Sequence, residues 1–184
     1  TGSLIIPAGV TGIGAYAFLG CSGLNGNLVL PEKLKEIGDG AFKECSSLTG
    51  SLSIPEKVRT IGMSTFFDCA GFTGDLIISD EVASIGWGAF CGCSGLDGKL
   101  KLPNNLESVA ASSFSGCSSF TGDLIIPDSV ASIGSYAFAD CGFDGILKIS
   151  DNITAIENGT FRGCSRLTGS LKIPQQVTSI GETA

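Results

Sequence analysis

The chain is predicted to be a β-solenoid built of short parallel strands, with about 24 residues in each coil. Three observations predict it. The pattern Leu-x-Ile-Pro-x-x-Val-x-x-Ile-Gly-x-x-Ala-Phe-x-x-Cys, seen complete from Leu124 to Cys141, returns from one end of the chain to the other. All six prolines fall at one position of that pattern, and seven of the eight cysteines at another. No single repeat carries enough apolar surface to close a core, whereas stacked repeats bury one continuously.

Numbered from the residue after a recurring glycine, the repeats run Ser3–Gly26, Asn27–Gly50, Ser51–Gly74, Asp75–Gly98, Lys99–Gly122, Asp123–Gly145 and Ile146–Gly169, with Ser170–Ala184 a truncated eighth. They make residues 1–184 a single elongated solenoid domain, expected to be a segment of a longer chain. Position 2 is leucine in every repeat and position 4 is Ile or Leu, so a short strand with two inward side chains is expected there. Proline at position 5 cannot donate to a ladder, so it ends that strand and turns the chain. Positions 8 and 11 carry Val, Leu or Ile, consistent with a second short strand or a bridge. Ala-Phe at 15–16 and Cys at 19 have the spacing of one helical or 3₁₀ turn. Phe18, Phe42, Phe66, Phe90, Phe114, Phe138 and Phe161 would then stack as an aromatic spine. The sixth repeat lacks one loop residue, around Cys141-Gly142-Phe143. At about 4.8 Å per strand, eight coils form a rod roughly 35–40 Å long.

Composition narrows the function classes. Mean hydropathy is positive, yet no apolar run approaches the roughly 18 residues of a spanning helix, so no membrane insertion is expected in this segment. A formal charge of −7 argues against nucleic acid, which needs a basic face. The chain contains no histidine, the commonest general base and metal ligand. Its glycine-rich turns lack a phosphate-loop pattern, and its serines have no histidine partner. An enzyme is therefore not expected, and no cofactor or metal is implied.

Cys21, Cys45, Cys69, Cys93, Cys117, Cys141 and Cys164 occupy position 19 of successive coils. Side chains on a ladder point in parallel rather than converging, which suits neither disulfides nor a four-ligand zinc site. A column of buried thiols acting as small hydrophobes is expected. Asp75, Asp97, Asp123 and Asp144 sit near coil corners without the spacing of a calcium loop. Asn152-Ile-Thr154 and Asn158-Gly-Thr160 match the glycosylation sequon, which matters only in a eukaryotic secretory protein.

Candidate sites lie where single coils depart from the repeat. Met63, Phe67, Trp87 and Cys91 stand at positions 13 and 17 of adjacent coils, and Met63 and Trp87 are the only residues of their types. On a helical turn, positions 13 and 17 would share a face. The four would then form an apolar patch that either contacts a partner or packs the coils laterally. A weaker candidate is Lys33, Lys35, Lys57 and Arg59, at positions 7 and 9 of adjacent coils. These could meet an acidic partner or glycan, or form a solvated mixed-charge face with Glu32, Glu36 and Glu56. The outward residues at position 3, Ile5, Val29, Ile77 and Ile125, are interrupted by Ser53 and Lys101 and are read as ordinary strand formers.

The repeat closely resembles the BspA-type, or Treponema-type, leucine-rich repeat in its Leu-Thr-Gly-x-Leu-x-Ile-Pro form. Leu48–Cys69 and Phe120–Cys141 fit it nearly perfectly. Ser79 and Ser150 replace the proline, Ala110 and Glu157 the glycine, and Ser113 the alanine, which puts those turns in question. The resemblance implies a leucine-rich-repeat solenoid and a non-catalytic protein-binding or adhesion module, secreted or displayed on a cell surface. Its implied partners are a host matrix protein, another cell-surface protein, or a glycan. A rival expectation is end-to-end self-association into a filament or surface array, since neither end carries an evident polar cap.

Overall fold

A computed structural model describes residues 2–184. Each coil is a loop of three straight runs joined by turns, and the coils stack in parallel. Leu52–Ile54, Leu76–Ile78 and Leu100–Lys101 form a first sheet, with Leu52, Leu76 and Leu100 in register. Thr60–Ile61, Ser84–Ile85, Ser108–Val109 and Ser132–Ile133 form a second, with Ile61, Ile85, Val109 and Ile133 aligned. Leu124 pairs with Leu147, so the register survives the residue missing from the sixth coil. Phe143 fills the place of the usual Leu, buried and stacked on Phe120 at 5.3 Å.

Alternation decides which residues face in. Leu52 and Ile54 are buried while Ser53 between them is exposed, as the period of two in a strand requires. One core cluster runs from Ile13 to Ile156. Its centre is the predicted phenylalanine spine: rings one coil apart stack nearly parallel at 5.3–6.0 Å from Phe18 through Phe161.

The segment around Ala-Phe differs from expectation. No helical turn forms there. Successive residues alternate between two bonding directions instead. The N–H groups of Ser64, Phe66 and Asp68 donate to the carbonyls of Trp87, Ala89 and Cys91 on the next coil, at 2.7–2.8 Å. Those of Phe67 and Cys69 donate locally, to Ser64 and Phe66, at 3.1 and 3.2 Å. Chained tight turns of this kind need left-handed backbone at positions 14 and 18, and every described coil shows it. At position 14 the residues are Tyr16, Gly40, Ser64, Gly88, Ser112, Tyr136, Gly159 and Thr183, with φ of 52–61°. Glycine at 159 has a second cause: a Cβ there would lie 2.4 Å from the Tyr136 ring. A helix would leave these amides bonded within their own coil and unavailable to the next.

The cysteine column is a ladder of free thiols. From the second coil on, each thiol of the column also has a polar role that composition did not reveal. Cys93 donates its S–H to the Phe66 carbonyl of the preceding coil at 3.1 Å, and that same oxygen accepts the Cys69 N–H at 3.2 Å. The pattern repeats at Cys45, Cys69, Cys117 and Cys141, and Cys164 donates its S–H to the Phe138 carbonyl. Burial pushes the Cys45 thiol up to about 11 and lifts Cys69 and Cys93 higher still, so these three stay neutral at neutral pH.

The substituted turns are kept. Val82 donates to Ser79 at 3.1 Å and Ile153 to Ser150 at 3.3 Å, as Val58 does to Pro55 at 3.1 Å. Each serine hydroxyl replaces the rigidity of proline by accepting the N–H two residues on, from Glu81 or Asn152. Ala110 keeps the coil-to-coil bond to Ile85 at 3.0 Å. Ser113 satisfies its buried hydroxyl on the Ala110 carbonyl at 2.7 Å.

Two outcomes follow for stability and reactivity. Phe90→Ala, which removes a fully buried ring stacked on both sides, is expected to cost about 3–5 kcal/mol in denaturant unfolding. An aromatic thiol reagent at neutral pH is expected to reach, in the folded protein, no cysteine beyond the half-buried Cys21, Cys91 and Cys164. Mass spectrometry before and after denaturation reads the count, and labelling of Cys69 or Cys93 in the folded state would contradict it.

Candidate functional site

The outward side chains of the corner turns come from positions 13 and 17, and here the structure brings the apolar candidates together. The joining geometry is between coils and not along one helical face. Phe67 of the third coil stacks on Trp87 of the fourth at 6.3 Å and 14°. Lys43 of the second coil places its Nζ 5.0 Å from the Phe67 ring centre, so a cation and two rings follow one another along three coils. Met63 remains 49% exposed and Trp87 47%, and Phe67 is half-buried. Cys91 is half-buried beside the same turn, its Cβ close to the space above Gly88. Burial, with Asp68 adding to it, raises its thiol. That favours a packing role over a nucleophilic one.

Two further residues extend this ridge towards the first coil. Tyr16 is 55% exposed and Leu19 47%. Leu19 shares position 17 with Phe67 and Cys91, and a tabulation of that position over every coil would have found it. Tyr16 gave no such signal, because position 14 also holds Tyr136, which sits under Arg162 at 5.4 Å.

The cationic candidates lie on the turn between the two sheets. Lys33 and Lys57 line a groove of about 1130 Å³ over the first sheet. Lys35, Lys57 and Arg59 line another of about 770 Å³ over the second. Arg59 is paired with Glu81 of the next coil. Lys33, Lys35 and Lys57 form no ion pair among the described residues. The structure thus spreads these four residues over two grooves instead of gathering them into one.

The corner aspartates act in the fold. Asp75 accepts the Lys99 N–H at 3.0 Å, Asp97 that of Gly74 at 2.6 Å, Asp123 that of Ile146 at 2.8 Å and Asp144 that of Gly122 at 2.7 Å. Each ties one coil to a neighbour at the edge of the backbone pairing between them. Asn158 does the same for Glu182 at 2.9 Å. The second sequon is closed in the folded chain, since Thr160 is buried with its hydroxyl on the Glu157 carbonyl. Among the described residues, no group of three or more acidic or sulfur ligands converges as a metal site would require.

Two exposed carboxyls, the corner Asp144 and Asp80 of the fourth coil, carry a pH signature. The Gly122 N–H, together with Arg166, holds Asp144 below its ordinary 3.8, and the Asn104 N–H, together with Lys101, does the same for Asp80. A carboxyl depressed in the folded state favours folding while it is charged. That contribution is complete above the unfolded value and is lost as pH falls through the folded one. Thermal unfolding is expected to show a melting temperature that drops as pH falls below about 4. The Asp80→Ala/Asp144→Ala double variant should melt lower at neutral pH and lose less on acidification; an equal acid loss in both proteins would contradict the assignment.

Comparison with known proteins matches this geometry to a family. The model of the BspA type leucine rich repeat region matches in six copies, over residues 1–98 and 96–184. Among solved structures, the T. pallidum leucine rich repeat protein is similar at 25% identity and a TM-score of 0.62, covering 97% of this chain and 72% of that one. A leucine-rich repeat protein of Bacteroides ovatus shares the fold at 23% identity and a TM-score of 0.50, covering 95% of this chain and 67% of its own. The pneumococcal vaccine antigen PcpA shares it at 18% identity and a TM-score of 0.56, covering 94% of this chain and 54% of its own. No curated protein sequence matches. The chain belongs to the BspA-type leucine-rich repeat family.

Proposed function

We propose that this solenoid is a non-catalytic binding module whose corner ridge, centred on Met63, Phe67, Trp87 and Cys91, takes a protein partner. The observation that carries the reading is the half-exposed Phe67–Trp87 stack. Equivalent positions of the fifth coil hold Ala111 and Ser115, so the fold does not require rings there. Aromatic and methionine side chains exposed together are the common centre of protein interfaces. The ridge is also held rigid, because alternate corner amides beneath it are bonded to the next coil and those between them close local turns. A pre-formed surface loses little conformational freedom on binding. Display at a cell surface or secretion, with adhesion to a matrix or surface protein, completes the proposal, and membership of the BspA-type family supports it.

The ridge is tested with Phe67→Ser/Trp87→Ser against a panel of immobilised matrix and surface proteins, read by surface plasmon resonance. Loss of a central aromatic pair is expected to weaken binding by about thirtyfold, with circular dichroism unchanged. Binding equal to the parent protein would overturn the assignment.

A further inference from the structure

The apolar centre of the corner ridge sits in a surface of one charge. Across the first five coils, positions 13 to 18 hold Asp39, Lys43, Glu44 and Asp68 as their only charged residues. Lys43, the one cation among them, is engaged twice, with its Nζ 3.6 Å from Glu44 and 5.0 Å from the Phe67 ring centre. Asp39 accepts the Met63 N–H at 2.7 Å. Neither Asp39 nor the exposed Asp68 forms an ion pair among the described residues. Around the rings, unpaired carboxylates thus face no unpaired cation.

Asp68 and the ring pair also share one turn. Phe67 and Asp68 both lean from the third coil onto the corner of the fourth. A Cβ added at Gly88 would lie 3.4 Å from the Phe67 ring, and one added at Gly92 would strike the Asp68 carboxylate. Phe67 covers one face of the Trp87 indole, at 6.3 Å and 14°. On the far side the fifth coil offers only Ala111 and Ser115 at the equivalent positions, too small to cover the other face. Trp87 accordingly remains 47% exposed. The fold requires neither group, since the fifth coil carries Ala111 where the fourth has Trp87 and Gly116 where the third has Asp68.

We propose that the ridge receives an arginine side chain of the protein partner, with the guanidinium laid on Trp87 and its charge met by Asp68. This rests on the ridge being the face that takes the partner. A cation is drawn to the negative face of an aromatic ring, and indole is the strongest such ring in proteins. A planar guanidinium stacks flat while its N–H groups reach a carboxylate, which the compact, strongly hydrated ammonium of lysine does less well. The molecule already uses this contact twice, with Lys43 over Phe67 and Arg162 over Tyr136 at 5.4 Å. An incoming arginine would stand to Trp87 as Lys43 stands to Phe67, at the other end of the ring pair. The net charge of −7 draws a basic segment towards this surface.

Trp87 is the only tryptophan of the chain, so its fluorescence reads the site directly. The test titrates the intact chain with acetyl-Gly-Gly-Arg-Gly-Gly-amide and with counterparts holding citrulline or lysine in place of arginine. The arginine peptide is expected to give a saturable change, binding about tenfold more tightly than the citrulline peptide and about threefold more tightly than the lysine one. Asp68→Asn should weaken it by about five- to tenfold. Asp151→Asn, which removes the same charge from an exposed position of the seventh coil, should leave it unchanged. Asparagine tolerates the left-handed backbone at residue 68, where φ is 56°, so the melting temperature of Asp68→Asn should stay at the parent value. No saturable change, equal binding of the arginine peptide and either counterpart, or equal effects of the two asparagine variants would each overturn the proposal. A protein partner lost in Phe67→Ser/Trp87→Ser but kept in Asp68→Asn would overturn it too, and would leave the ridge reading in place.

Discussion

The contact between one phenylalanine ring and the next, a coil further on, is the constraint on which the rest of the molecule depends. A separation of 5.3–6.0 Å between rings is close to the spacing of paired strands. The same coil rise therefore satisfies the two sheets and the aromatic spine together. The carbonyls of Phe18, Phe42, Phe66, Phe90 and Phe114 each accept a local amide and the thiol of the following coil, which fixes the corner against its neighbour. Because every coil meets only the coils beside it, stability accumulates along one axis. A defect in one rung is felt by two neighbours and little further.

This arrangement separates residues that stack from residues that can vary. Inward positions 2, 4, 8, 11, 16 and 19 are tied to the core. Outward positions 3, 13 and 17 are free to differ from coil to coil. The ridge arises where positions 13 and 17 gain rings. Function in such a molecule is written as departures from the repeat. The departures are displayed on a frame whose backbone is bonded on both sides.

Much of the frame was legible in the sequence, because leucine, proline, phenylalanine and cysteine each recur at one position with one physical reason. The phenylalanine spine and the buried thiol ladder both follow from that recurrence. The corner did not. Spacing of Ala, Phe and Cys suits a helical turn, but the left-handed residues at positions 14 and 18 include Tyr16, Ser64 and Asp68, whose types do not announce that conformation. The aspartates of the corners were equally silent, since a carboxylate that accepts an amide from the next coil looks, in sequence, like any surface acid. Met63, Phe67 and Trp87 are visible as exceptions to the repeat, and the stacking of Phe67 on Trp87 is not, because it runs between coils and not along one helical face.

Amide hydrogen exchange at the corner turns tests most directly whether coil-to-coil bonding carries the fold. The Phe66, Phe90 and Phe114 amides each donate to the following coil at 2.7–2.8 Å. They are predicted to exchange only through global unfolding, with protection falling towards the first and last coils. Rapid exchange of these central amides in an otherwise folded chain would contradict the account.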